Sequence, residues 1–254
     1  MNKIKNAFMD KKAFIGFITC GDPDLDTTKE AIKEMQLNGA SLIELGIPFS
    51  DPTAEGEVIE EANARALANG VTTDKIFDMV KELSVNVPLV FMTYSNVVFS
   101  YGSDEFFKKC KDVGISGIIL PDLPYEEKGE FLEYSLKYDV ALISLIAPTS
   151  NDRIKMIAKD ASGFIYLVSS LGVTGERANI NTDLSSIVKV IKKHSNLPCA
   201  IGFGISTPTQ AKEISKIADG IIVGSAIVKL LEKHGKNAPQ FIGEYVKSMV
   251  DAIC

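Results

Sequence analysis

Residues 41–56 read Ser-Leu-Ile-Glu-Leu-Gly-Ile-Pro-Phe-Ser-Asp-Pro-Thr-Ala-Glu-Gly, an apolar run that ends in a loop punctuated by proline and glycine. Ser41–Gly46 reads as a buried strand, and a longer amphipathic segment follows the loop. The same unit recurs down the whole chain. Strand candidates are Phe14–Cys20, Ser41–Gly46, Leu89–Tyr94, Gly117–Pro121, Ala141–Ala147, Phe164–Ser169, Cys199–Phe203 and Gly220–Val223. The segments between them carry helical spacing, as in Phe106, Cys110 and Val113, or Ile187, Val190 and Ile191. Asp24, Thr73, Ser103, Ser150, Asp183 and Thr207 mark helix starts, with Pro208 just inside the last. Eight alternating units without a break in composition predict parallel strands joined by crossover helices, covered on both faces. An α/β fold of the (β/α)8 TIM-barrel type fits this count and a length of 254 residues. A doubly wound open sheet is the competitor. On the barrel reading, residues 1–254 form a single domain. Asn2–Lys11 is an extra N-terminal helix covering the bottom, and Ala226–Lys233 and Gln240–Ala252 are helices after the eighth strand.

The bulk composition excludes several classes of function. At 46% hydrophobic and 24% charged, it is that of an ordinary globular protein. A formal net charge of −6 argues against nonspecific nucleic-acid binding, which needs a basic face. The four cysteines are far apart and include no Cys-x-x-Cys, so they suggest neither a zinc site nor a redox pair. A reducing cytoplasm fits them best. Ala13–Cys20 superficially resembles the apolar core of a signal peptide. It is short, however, and runs into Gly21-Asp22-Pro23 with no small-residue cleavage site, so it reads as the first strand. No apolar stretch is long enough to span a membrane.

A barrel places its chemistry at the C-terminal ends of the strands. Glu44 lies inside an apolar strand near such an end. Burying a carboxylate raises its pKa toward the range where it exchanges protons near neutral pH. Glu55 follows in the next loop. Read by itself among Glu57, Glu60 and Glu61, it is a solvated loop charge. As one of two carboxylates in different environments, it could share acid and base work with Glu44. Gly172-Val173-Thr174-Gly175, Gly202-Phe203-Gly204 and Gly224-Ser225 follow strands six, seven and eight and suggest a phosphate cradle. The alternative is that these glycines only close tight turns. Tyr94 and Tyr166, near the ends of strands three and six, are either ligand contacts or barrel filler. Phe17 reads as core. The two histidines, His194 and His234, lie in polar helical stretches away from strand ends, which argues against a histidine triad or a metal site.

With these residues on the page, the chain resembles the tryptophan synthase alpha chain family. The resemblance rests on ELGIPFSDP at 44–52, GVTGER at 172–177, GFGIS at 202–206 and GSAIVK at 224–229. Gly21-Asp22-Pro23, Met92-Thr93-Tyr94-Ser95-Asn96 and Pro121-Asp122-Leu123-Pro124 fall where that family has them. The resemblance implies a barrel lyase that cleaves indole-3-glycerol phosphate to indole and glyceraldehyde 3-phosphate by a retro-aldol reaction. It further implies an α2β2 assembly with a β subunit that uses pyridoxal phosphate and receives the indole, with no cofactor or metal in this chain. Glu44 then matches the proton-shuttling glutamate, and Glu55 the carboxylate that offsets positive charge on the indole ring. Phe17, Ile59, Tyr94, Ile119 and Tyr166 match positions around the indole and glycerol portions. Gly175, Gly202, Phe203, Gly204, Gly224 and Ser225 match the phosphate site. Thr174 matches a lid threonine, and Pro48, Asp51 and Asn96 match positions facing the β subunit.

The chain departs from the family at one informative place. The usual Leu-Ala-Asp-Gly-Pro after Ser-Asp-Pro is here Thr-Ala-Glu-Gly-Glu (53–57). Glutamate keeps the charge but adds a methylene, which displaces a positioned carboxylate by about an ångström. The expectation is that Glu55 retains the role, with activity lower or more dependent on β. The competing expectation is a chiefly non-catalytic subunit that activates β. Ser170 also stands where some members carry arginine.

Overall fold

Successive strand residues are buried on both sides and alternate between two apolar clusters, one inside the barrel and one outside it. The structure is a computed structural model and describes residues 3–9, 11–169, 184–202 and 204–254. Its strands are β1 (Ala13–Thr19), β2 (Leu42–Gly46), β3 (Leu89–Met92), β4 (Gly117–Ile119), β5 (Ala141–Ile146), β6 (Ile165–Val168), β7 (Cys199–Gly202) and β8 (Gly220–Val223). Each pairs in parallel with the next, and β8 pairs with β1, so the sheet closes into a barrel. Closure rules out the open-sheet competitor. Ile15, Phe17, Leu42, Val90, Ile119 and Tyr166 pack together inside the barrel. Phe14, Ile18, Ile43, Leu45, Phe91 and Leu167 belong to the larger core between barrel and helices. This two-sided burial is why the strands read as near-continuous apolar runs.

β1, β3, β4, β5 and β6 stop one or two residues earlier than their apolar runs suggest. Most of the surplus residues are buried, with Pro121 and Ala147 half-buried, but their backbone leaves the ladder to shape the loops at the C-terminal mouth. Tyr94 is one such residue, sitting at the N-cap of the helix Ser95–Tyr101. Pro121 is another, and it has no N–H for the ladder.

The helix starts are mostly where side-chain caps predict. Asp24, Ser150 and Thr207 each accept a backbone N–H of the first turn, and Thr207 forms a reciprocal capping box with Gln210. One start shifts by a residue: Thr72, not Thr73, caps the helix Thr73–Glu82 by accepting from the Lys75 N–H. Ser103 opens its helix without acting as a cap, and Gly102 precedes it at φ 93°. Asp183 lies outside the described residues.

The N-terminal helix is shorter than expected, Lys3–Asn6 rather than Asn2–Lys11. It still covers the barrel bottom. Ile4 is fully buried in the interior cluster, and Phe8 packs on Phe164 with ring centroids 5.6 Å apart. Gly117 and Gly163 make room for it, since a Cβ at either would stand 3.2 Å from Ile4 Cδ1. After β8 come the helices Ser225–His234 and Ala238–Ile253. No helix among the described residues is long and apolar enough to cross a membrane.

Candidate active site

The inward residues of β1, β2 and β3 meet at one level, where the register pairs Phe17 with Glu44 and Glu44 with Val90. The alternation that buries Leu42 inside the barrel also turns Glu44 inward, two residues on. Glu44 is 0% exposed. Neither of its carboxyl oxygens meets a hydrogen-bond partner among the described residues. Burial without a compensating donor pushes its pKa up to about 8. It therefore rests protonated at neutral pH, able to give a proton and later take one back.

Phe17 and Tyr166 flank this carboxyl from inside the barrel. Phe17 sits against Gly46 and Gly224, so close that a Cβ on either would meet its ring at 2.7 and 3.3 Å. Tyr166 lies over Gly202, where a Cβ would stand 2.6 Å from the phenol oxygen. Burial is the main cause that raises the Tyr166 pKa, with the Glu44 charge adding to it. Ile59 reaches the same interior cluster from the helix Glu57–Ala68, joining Phe17, Ile119 and Tyr166. Phe17 thus belongs to the interior core and stands beside Glu44 in register.

Glu55 is not the solvated loop charge that its acidic neighbours suggest. It is 6% exposed. The loop after β2 folds over the mouth, and the helix behind it presents Ile59, Ala62, Asn63 and Ala66 as its buried face. Asn63 Nδ2 donates to Glu55 Oε2 at 2.6 Å. Tyr94 also hydrogen-bonds Glu55, and its phenol oxygen accepts from the Ala54 N–H at 3.2 Å. Burial raises the Glu55 pKa to about 7; the hydrogen bonds from Asn63 and Tyr94 oppose the rise and the nearby Glu60 charge adds to it.

Two arrangements brace the mouth that the sequence reading did not assign. Asp122 accepts the Ser95 N–H at 3.0 and 3.1 Å, anchoring the turn that carries Tyr94. Arg65 donates to both oxygens of Asp22 at 2.9 Å, joining the loop after β1 to the helix after Glu55. Both aspartates sit in quoted motifs, Gly21-Asp22-Pro23 and Pro121-Asp122-Leu123-Pro124, but their partners are distant in sequence. Asn63 carried only a weak signal, a polar residue on the apolar stripe of its helix.

On the opposite side of the mouth, Gly202 ends β7 and Gly204 adopts φ 86°, which favours glycine. Gly224 leads into the helix that starts at the buried Ser225. The first N–H groups of such a helix suit an anion. Thr174, Gly175 and Phe203, together with Ser170, lie outside the described residues. Pro48 and Asn96 line one surface groove of about 380 Å³ with Phe49, Ile76, Val97 and Tyr101. Phe49 leads from that groove to the site, its ring centroid 5.1 Å from that of Tyr94. Asp51 is exposed at the tip of the same loop. No group of three or more His, Cys, Asp or Glu among the described residues could hold a metal ion.

A closed (β/α)8 barrel with two desolvated carboxylates at the C-terminal mouth defines a barrel enzyme of the acid–base class. Comparison with known proteins narrows this further. A family profile described as "Tryptophan synthase alpha chain" matches residues 4–251. The tryptophan synthase alpha chain of Lacticaseibacillus casei is 48% identical over 255 residues, covering 100% of this chain and 96% of that protein. The alpha chain of Methanocaldococcus jannaschii is 48% identical over 228 residues, covering 88% and 81%. Among solved structures, tryptophan synthase subunit alpha from Legionella pneumophila str. Paris superposes with a TM-score of 0.90 at 35% identity, covering 100% of this chain and 98% of that one. The chain belongs to the tryptophan synthase alpha chain family.

Proposed function

We propose that this chain is a tryptophan synthase α subunit, a lyase that cleaves indole-3-glycerol phosphate to indole and glyceraldehyde 3-phosphate. The observation that carries the reading is Glu44, a buried carboxyl without a partner among the described residues, held in the apolar wall of the barrel.

The reaction follows from the carboxyls. Glu44 gives its proton to indole C3, which leaves the ring as a cation with its charge on the ring nitrogen side. The Glu55 carboxylate offsets that charge, and a low-dielectric surround strengthens the effect. Glu44, now ionised, takes the proton of the adjacent side-chain hydroxyl. The C–C bond to the ring breaks, its electron pair restores the indole, and the aldehyde forms. Glu44 ends protonated, as it began, so no proton is gained or lost. Gly202, Gly204, Gly224 and Ser225, with Gly175 and Phe203, hold the phosphate. Binding energy at that end orients the reacting end. Phe17, Ile59, Ile119 and Tyr166 enclose the ring, Tyr94 steadies Glu55, and Thr174 serves the lid.

The family implies a β-subunit partner. In this reading the two form an α2β2 assembly in the cytoplasm, and β binds pyridoxal phosphate while this chain, acting as one barrel domain, carries no cofactor. Pro48, Asp51 and Asn96 face β. The groove that Pro48 and Asn96 share supports this, because its Phe49 edge continues to the site.

Indole release from indole-3-glycerol phosphate, measured with and without a β subunit, tests the reading beside a Glu44→Gln control. Release that vanishes in the control is expected. No release in either condition, despite β binding, would overturn it and leave a subunit that only activates β.

A further inference from the structure

We propose that Asn63 is a positioning residue of the lyase site, whose side-chain amide fixes the Glu55 carboxylate and favours its ionised form. The inference rests on the role given to Glu55 above.

The geometry is specific. Asn63 Nδ2 stands 2.6 Å from Glu55 Oε2. Asn63 is 4% exposed and Glu55 6%, so water does not compete freely for either group. An amide N–H donating to a carboxylate at that distance, away from solvent, belongs to the stronger class of hydrogen bonds. Asn63 lies on the inward stripe of the helix Glu57–Ala68, between Ile59 and Ala66. The same stripe that walls the site with Ile59 therefore aims the amide.

The longer side chain at position 55 gives this contact its purpose. Glutamate has one more rotatable bond than aspartate, so a carboxylate on a loop needs a second anchor to stay in place. Tyr94, from the end of β3, supplies one hydrogen bond and Asn63 the other. These two favour the charged form. Opposing them are burial and the charge of Glu60, one turn along the same helix. Asp122 bears on the group indirectly, through its charge acting on Tyr94. Removing Asn63 thus leaves Tyr94 alone against burial and Glu60, and Glu55 shifts toward its neutral form. A neutral Glu55 cannot offset a ring cation.

The test compares wild type, Asn63→Ala and the near-isosteric Asn63→Leu in the full chain, each checked for folding by thermal melting. For both variants the expected result is a loss in kcat at pH 7 of about tenfold, with KM within threefold. The acid limb of the kcat/KM profile is expected to move up by about one pH unit. In a Glu55→Gln background, Asn63→Ala should cause no further loss. An unmoved acid limb, or an equal loss in both backgrounds, would show a merely structural residue and overturn the proposal. A 13C NMR titration of the Glu55 carboxyl gives a readout that does not depend on turnover. If the chain releases no indole yet the Glu55 titration rises in Asn63→Ala, the lyase reading fails while the Asn63–Glu55 coupling stands. If the chain is active and the titration does not move, it is the Asn63 inference that fails.

Discussion

The Tyr166 ring occupies the space that a side chain at Gly202 would need. A Cβ there would lie 2.6 Å from the phenol oxygen and 2.6 Å from Cε2 of a ring that is itself buried. Gly202→Ala must therefore push Tyr166 off its position rather than bend a flexible tip. The expected cost is about 1–3 kcal/mol of stability. If Tyr166 borders the substrate, as proposed, its displacement should raise KM for indole-3-glycerol phosphate about tenfold. Thermal denaturation and steady-state kinetics check both. A Gly202→Ala protein with unchanged KM would mean that Tyr166 does not border the substrate.

Glu44 gives folding stability a pH dependence whose sign can be worked out. Its pKa is raised to about 8 in the folded chain, while the unfolded chain has the ordinary value near 4.3. A raised value means that the folded state prefers the proton. Its contribution is therefore fully present below the unfolded value and is lost as pH climbs through about 8. The loss approaches about 3–5 kcal/mol by pH 9. Glu44→Gln cannot ionise, so its stability relative to wild type should improve by that amount between pH 4 and pH 9. Urea titrations at several pH values measure the difference, and parallel curves would contradict the buried, unpartnered state.

Activity should follow pH as a bell. Glu44 has to start protonated, with its pKa pushed up to about 8, and Glu55 has to be ionised, with its own near 7. The free-enzyme profile of kcat/KM should then peak between these values. The two limbs are macroscopic properties of the site. The substrate phosphate also titrates near the acid limb, so wild type is best compared with Glu55→Gln on the same substrate. The variant should lose the part of the acid limb that Glu55 supplies, on a much lower plateau.

Arg65→Ala should loosen the mouth without touching a reacting group. It would strip a nearly buried Asp22 of both hydrogen bonds from the guanidinium. Because Arg65 is itself about one-third exposed, the cost falls below that of a fully buried pair, at about 2–3 kcal/mol. Chemical denaturation checks this, and Arg65→Lys should recover only part of it, since lysine cannot make the bidentate contact.

Much of the fold was legible because parallel barrel strands are apolar on both sides and their ends are marked by Gly, Pro and Asp. Glu44 was legible for the same reason, as a charge inside such a run. Glu55 was not, because its burial is conferred by groups elsewhere. Tyr94 comes from the end of another strand, and Ile59 and Asn63 from a helix that folds back over the mouth. Local composition placed Glu55 in water, and only the resemblance gave it a role. The Arg65–Asp22 and Ser95–Asp122 contacts were hidden likewise. Each spans tens of residues, a distance that periodicity does not report. The short N-terminal helix was overextended for the opposite reason. Its propensity continues past Asn6, but only Ile4, Ala7 and Phe8 find a place under the barrel.

Those three residues have a consequence for traffic. With Ile4 and Ala7 buried and Phe8 packed against Phe164, the floor of the barrel is stoppered. Among the described residues the barrel is packed from its floor upward and offers no passage through its N-terminal end. Among the described residues the end left for a ligand is the rim where the strands end, beside Tyr94 and Phe49. On the proposed function, a recipient docked beneath the floor would face packed side chains, so a hand-over of indole is expected where the strands end.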